Sequence, residues 1–183
     1  MLTTLVGFKH LMRSIFSFPS EVNEHSARLV AGGVVIQVVG YLFVGSGWLL
    51  AFLTFGFLAR VATGPTLSPL GQVVTRFVTP MVEWISGTEP KLVPGPPKRF
   101  AQAIGLTLSV VAAGFHLVGH SGVATIFIGA IGLAATLESV FAYCLGCQIF
   151  GYGMRVGLVP EAICEACGDI TDRLHANEAV QAR

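Results

Sequence analysis

An all-α integral membrane fold, with four transmembrane helices set as two hairpins, is the class this sequence predicts. Three observations carry the prediction. The 183 residues are 53% hydrophobic and only 11% charged, against about 25% charged in soluble domains. Charge is missing from two long runs: none lies between Arg28 and Arg60 (positions 29–59), and none between Arg99 and Glu138 (positions 100–137). The Lys and Arg residues fall before, between and after these runs, never in the short turns that interrupt them. This composition excludes a soluble enzyme and a disordered tail. A net charge of +1 gives no general attraction to phosphate, so no nucleic-acid partner is expected.

A helix crosses a bilayer in about 20 residues, at roughly 1.5 Å each. The first charge-free run would make a single helix of about 46 Å, too long for a hydrocarbon core of about 30 Å. Gly45-Ser46-Gly47 breaks it, as turn chemistry requires. Gly119-His120-Ser121-Gly122 breaks the second run in the same way. The spans are then about 30–45, 47–62, 100–118 and 123–143, in a membrane domain over 28–150. Residues 1–27 form an N-terminal segment and 151–183 a C-terminal tail. The first two spans are short, and Arg28 and Arg60 are expected to snorkel outward to make up the deficit.

Orientation follows from the positive residues. Lys9, Arg13 and Arg28 precede the first hairpin. Arg60, Arg76, Lys91, Lys98 and Arg99 lie between the hairpins, and Arg155, Arg173 and Arg183 follow the second. Four spans put all three groups on one side, and the positive-inside bias makes that side the cytoplasm. The expected location is the inner membrane, with both termini cytoplasmic and lipid as an obligatory partner. Leu2, Leu5, Val6, Leu11 and Phe16 suit a weak interfacial anchor rather than a signal peptide. In the cytoplasmic loop 63–99, Leu70, Val73, Val74, Phe77, Val78, Met81 and Ile85 follow helical spacing. They predict an amphipathic helix on the membrane or the bundle, kinked at Pro80. Val93-Pro94-Gly95-Pro96-Pro97 reads as a stiff, non-helical connector into the third span.

The chemistry rests on cysteine. Cys144-Leu145-Gly146-Cys147 and Cys164-Glu165-Ala166-Cys167 are two C-x-x-C pairs separated by 16 residues. A structural disulfide is not expected in the cytoplasm. The spacing fits a four-thiolate zinc site built from Cys144, Cys147, Cys164 and Cys167. It equally fits a redox or sulfur-transfer dithiol, which needs one activated thiolate. If the fourth span continues through the first pair, Cys144 sits near a helix C-terminus, where the dipole opposes ionisation. Activation would then depend on a cation such as Arg155 or Lys98. Cys164 follows Pro160, a favourable helix start, but Glu161, Glu165 and Asp169 oppose its ionisation.

Glu138 is the one acidic residue inside the spans. It reads either as a buried proton carrier or as a helix-to-helix hydrogen-bonding group. On a continuous helix it would stand about 120° in azimuth from Cys144, which argues against direct contact. His116 and His120 are four apart, but polar packing explains them better than metal or heme. Asn23-Glu24 with Arg28 suggests a helix start and an i,i+4 ion pair. No Walker loop, dinucleotide-binding glycine pattern or serine nucleophile elbow is present.

Three segments together carry a resemblance. They are Val22-Asn23-Glu24-His25-Ser26-Ala27-Arg28; Gly95-Pro96-Pro97-Lys98-Arg99-Phe100-Ala101; and Leu137 through Cys147, with Glu138 and both cysteines of the first pair. In order and spacing the chain resembles a bacterial integral-membrane family known only as a domain of unknown function, numbered forty-three ninety-five. The resemblance implies a multi-span membrane protein, often encoded near thioredoxin-like and sulfurtransferase proteins. Two departures matter. Many relatives carry Cys-Pro where this chain has Phe18-Pro19, and some lack the second pair, so the shared chemistry would rest on Cys144, Cys147 and Glu138. The functional expectation is a membrane-embedded dithiol in thiol-redox or sulfane-sulfur transfer with a cytoplasmic thioredoxin-like or sulfurtransferase partner. Cys164 and Cys167 would act as relay, and no resident cofactor is required. Two alternatives stay open: a non-enzymatic scaffold stapled by zinc on the four cysteines, and a small-molecule or sulfur-species transporter. The transporter would use the polar groups Gln37, Thr54, Gln102, Thr107, Ser109, His116, Thr125, Thr136, Glu138 and Ser139.

Overall fold

The computed structural model describes residues 19–157. The N-terminal anchor segment, Phe18, Cys164 and Cys167 lie outside the described residues. Within them the chain is almost wholly helical. Strand β1 (Glu21–Asn23) leads into α1 (Glu24–Val44), and α2 (Gly47–Thr63) follows a tight turn. Then come α3 (Pro69–Val73), a π-helical turn (Val74–Val78) and α4 (Thr79–Ser86). Strand β2 (Leu92–Pro94) precedes α5 (Gly95–Leu117), α6 (Ser121–Phe141) and α7 (Leu145–Arg155).

Local chemistry sets the ends of these helices. The Asn23 side chain accepts from the amides of His25 and Ser26 at 2.8 and 3.4 Å, capping α1 as a short polar N-cap residue does. Gly45, with φ of 64°, closes the other end in the left-handed conformation. The expected non-helical connector is shorter than the sequence suggests. Pro94 ends a strand, while Pro96 and Pro97 sit in the first turn of α5, where a missing amide hydrogen costs nothing. Antiparallel pairing of Val22 with Val93 ties the entrance of α1 to the entrance of α5.

The segment 69–86 is helical, and its expected kink takes the form of the π-turn. The ring of Pro80 crowds the carbonyl four residues back. A widened turn just before it accommodates that crowding. The expected i,i+4 pair does not form. Glu24 pairs instead with Lys91 at 3.3 Å. Arg28 reaches across to α6 and donates to the carbonyls of Ser139 and Val140 at 3.2 Å.

The four long helices pack mainly across the hairpins, α1 against α6 and α2 against α5, with α5 also against α6. The core joins Val34, Val38 and Tyr41 of α1 to Leu50, Leu53 and Phe57 of α2, and to Ala112, Ala124, Ile128 and Ile131 of α5 and α6. Gly132 allows Val38 to approach: a Cβ there would stand 2.7 Å from its Cγ1. Gly105 likewise admits the Phe57 ring. The outer surface is apolar as well, with Ile36, Phe43, Trp48, Ile126 and Leu133 all exposed. A chain that is greasy both inside and outside is built for lipid. Three helices, α1, α5 and α6, are long and apolar enough to cross a membrane, and α2 is apolar but shorter at 17 residues. The protein is therefore a multi-pass membrane protein.

One expectation fails here in a way that matters for chemistry. The fourth long helix does not continue through the first cysteine pair. It ends at Phe141, and Ala142 takes a left-handed conformation with φ of 56°. The Ala142 and Tyr143 amides both reach back to the Leu137 carbonyl, the latter at 3.1 Å, so a widened closing turn satisfies that helix-end acceptor. A non-glycine residue pays about 1 kcal/mol or more in that conformation. Ala142→Gly is therefore expected to leave the protein as stable or up to about 1 kcal/mol more stable, and Ala142→Val to cost about 1–2 kcal/mol. Thermal unfolding of the purified protein in detergent measures both. Equal tolerance of Val and Gly would contradict the left-handed break.

Candidate functional site

The break after α6 creates a helix start. Cys144 is extended, with φ of −87° and ψ of 102°, and caps the N-terminus of α7. Its Sγ accepts from the Cys147 amide at 3.3 Å. This reverses the expectation that a helix C-terminus would oppose ionisation. The positive end of a helix dipole and an amide donor both favour a thiolate at Cys144. The Cys147 thiol adds a side-chain hydrogen bond to the same sulfur, and that bond holds the Cys144 thiol below its ordinary range. Donating that bond, together with burial, holds the Cys147 thiol well above its ordinary range. The pair is asymmetric: the Cys144 sulfur accepts from both the Cys147 amide and the Cys147 thiol.

Cys144 is buried and Cys147 half-buried, both as free thiols. Gly146 between them is a packing position. A Cβ there would run into the backbone of Ala101, so the missing side chain lets α7 lie directly on α5. The rings of Phe100 and Phe150, 5.6 Å apart, close the same contact.

Charge is supplied from α5 and α6. Lys98 Nζ stands 2.5 Å from Glu138 Oε1, and both side chains are largely buried. The ammonium draws Cys144 toward ionisation, and the carboxylate opposes it. Lys98 is thus the cation at the thiols, in place of Arg155. The helix-to-helix partner of Glu138 is Lys98. The azimuth argument against its approach to Cys144 presumed an unbroken helix. Instead, Glu138, Gln102, Cys144 and Gly146 line one cavity of about 240 Å³, otherwise walled by apolar residues such as Phe57, Leu108 and Ile131.

The three sequence segments that carry the family resemblance meet at this end of the bundle. Arg28 from the first caps the α6 carbonyls next to Glu138. Lys98 from the second pairs with Glu138 in the third. Arg28 gave no sign of this role in sequence, because its acceptors lie more than 100 residues away.

Arg60 is a further correction. It does not snorkel outward. It is 5% exposed, folded over the Phe57 ring at 4.7 Å, and donates to Gln102 Oε1 at 2.9 Å.

Other candidates disperse. His116 meets the Tyr41 hydroxyl at 3.1 Å, while the His120 backbone begins α6. Among the described residues no group of three or more His, Cys, Asp or Glu could hold a metal. The zinc alternative needs Cys164 and Cys167, which are outside the description. The hydroxyls of Thr54, Thr107, Thr125 and Thr136 each bond a carbonyl four residues back in their own helix.

The asymmetry has a direct consequence. With Cys164 and Cys167 changed to Ser, alkylation by iodoacetamide is expected to fall on Cys144. Its rate should rise with pH to a midpoint below the value of about 8.5 for a free thiol. Lys98→Met should move that midpoint up and Glu138→Gln should move it down. A midpoint at or above the free-thiol value, or equal rates at Cys144 and Cys147, would contradict the asymmetry.

A family model described as a domain of unknown function, DUF4395, matches residues 22–155. No curated protein and no solved structure matches the chain.

Proposed function

The chain belongs to the DUF4395 family of unknown function, and from that premise we propose that it is a membrane-embedded dithiol exchanging electrons or sulfane sulfur with a cytoplasmic thioredoxin-like or sulfurtransferase protein. The observation that carries this reading is Cys144 at the N-cap of α7, accepting hydrogen bonds from Cys147. A packing cysteine needs none of that geometry, and a dithiol reductant needs both a thiolate and a protonated partner.

The step balances on sulfur alone. The Cys144 thiolate attacks one sulfur of the partner's disulfide, and the other leaves as thiolate and takes up a proton. Cys147 then loses its proton and attacks Cys144 Sγ. The products are the Cys144–Cys147 disulfide and the partner's dithiol, with two electrons transferred. With a persulfide donor, the Cys144 thiolate takes the terminal sulfur instead and the donor leaves as thiolate. Cys147 would then release hydrosulfide and close the same disulfide. Cys144 is buried in this state, so the partner engages it after the Ala142–Tyr143 link swings α7 outward. Cys164 and Cys167 relay on the tail.

The wider arrangement is part of the proposal. The α2 helix serves as a fourth span, and the end carrying Arg28, Lys91, Lys98, Arg99 and Arg155 faces the cytoplasm of a bacterial inner membrane. The exposed Phe77, Met81, Trp84 and Ile85 on the 69–86 segment lie in the interface on that side.

The test is trapping in cells. Removing the resolving thiol with Cys147→Ser should accumulate a mixed disulfide at Cys144 with a thioredoxin-like or sulfurtransferase protein, identified by mass spectrometry. Cys144→Ser should give none. Thiols that stay reduced under every oxidant and sulfur regime, with no mixed disulfide in either variant, would defeat the reading.

A further inference from the structure

The segment 69–86 lies beside the first half of α1 and leaves a space against it. The two run antiparallel: Leu70 reaches Gly33, Thr79 bonds the Ser26 hydroxyl and Glu83 stands by His25. The α1 wall of the space is His25, Arg28, Leu29, Gly32, Gly33 and Ile36, one face at helical spacing. The facing wall is Leu70, Val73, Val74, Val78 and Val82. Between them the cleft measures about 650 Å³, a size typical of ligand sites. Ile36 and Val73, one on each wall, are exposed. The cleft therefore opens sideways through the apolar outer surface, toward lipid.

Polarity is graded along this cleft. From His25 to Ile36 the helix rises about 16 Å, close to half of a hydrocarbon core of about 30 Å. The space is thus about one leaflet deep, apolar for most of its length and charged at one end. At that end His25 is met by Glu83 at 3.7 Å, and the Ser86 and Thr88 hydroxyls bond one another at 2.7 Å. Arg28 is different. Its Nε and Nη2 donate to the carbonyls of Ser139 and Val140. Its Nη1 bonds no described residue, and no carboxylate among the described residues pairs with it.

We propose that this cleft holds one anionic phospholipid, with an acyl chain along Leu29 to Ile36 and the phosphate at Arg28. The depth of the cleft is that of one leaflet's chain, and its charge lies where a headgroup lies. A single unmatched arginine selects a net negative headgroup over a zwitterionic one. The missing side chain at Gly32 keeps the cleft open one turn below Arg28. Because Arg28 also satisfies the carbonyls at the end of α6, lipid phosphate and helix break would share one guanidinium. The site stands on the cleft and on Arg28, and does not depend on the dithiol reading.

The experiment is native mass spectrometry of the full chain, stripped of lipid in detergent and then offered phosphatidylglycerol and phosphatidylcholine with identical chains. One phosphatidylglycerol should be retained per chain, with a preference of about fivefold over phosphatidylcholine, as one arginine near a headgroup supplies. Arg28→Gln should abolish the preference. Because that change also uncaps α6, Gly32→Leu provides an independent arm. A Cβ at Gly32 meets only the Ser139 hydroxyl, at 3.3 Å, a side chain that can turn aside. The leucine fills the cleft without touching a charge. It should release the lipid while leaving the melting temperature of the lipid-free protein near that of the parent. No retained lipid, equal retention of the two lipids by the parent, a preference that survives Arg28→Gln, or undiminished retention in Gly32→Leu would overturn the site.

Discussion

The left-handed turn at Ala142 is the constraint on which this end of the bundle depends. Had α6 run on, the first cysteine pair would sit at a negative helix end, facing carbonyls. The turn stops α6 at Phe141 and restarts the chain as α7 at Leu145. The same sulfur then meets the amide end of a helix. Two contacts hold the turn from outside. Arg28 satisfies the α6 carbonyls of Ser139 and Val140 that the break leaves open. The absence of a side chain at Gly146 lets α7 seat on Ala101. Local strain at Ala142 is thus offset by long-range contacts, a pattern common where chemistry is done.

Buried charge is the second organising feature. Lys98, Glu138 and Arg60 are drawn inward from α5, α6 and α2, where apolar burial alone would exclude them. Lys98 and Glu138 satisfy one another, and Gln102 and Phe57 share the guanidinium of Arg60. Removing one member of such a set leaves the others uncompensated. The group therefore also fixes how the helices meet: α5 against α6 through the ion pair, and α2 against α5 through Gln102. The apolar core farther along the bundle needs only complementary shape, as Gly132 against Val38 shows.

Much of the architecture was legible because it depends on local pattern. Charge-free runs marked the apolar helices, and the Gly45 and Gly119 turns divided them. Asn23 announced the start of α1. The misreadings are non-local. An alanine in a left-handed turn carries no sequence signal, so the helix break before Cys144 was invisible, and the inferred dipole had the wrong sign. The packing role of Gly146 left no local mark because its contact, Ala101, lies 45 positions earlier. Arg28 and Arg60 looked like interfacial arginines because their partners, Ser139 and Gln102, belong to helices far along the chain. Lys98 was within reach of sequence reasoning, as one cation among several.

A redox titration of the detergent-purified chain, with Cys164→Ser and Cys167→Ser, tests the central claim most directly. The protein is equilibrated across a series of glutathione ratios and its thiols are counted by alkylation and mass spectrometry. A thiolate capping α7 beside a protonated thiol should give one cooperative two-electron transition to an intramolecular Cys144–Cys147 disulfide. Independent glutathione adducts on the two cysteines, or no oxidation across the series, would contradict the account.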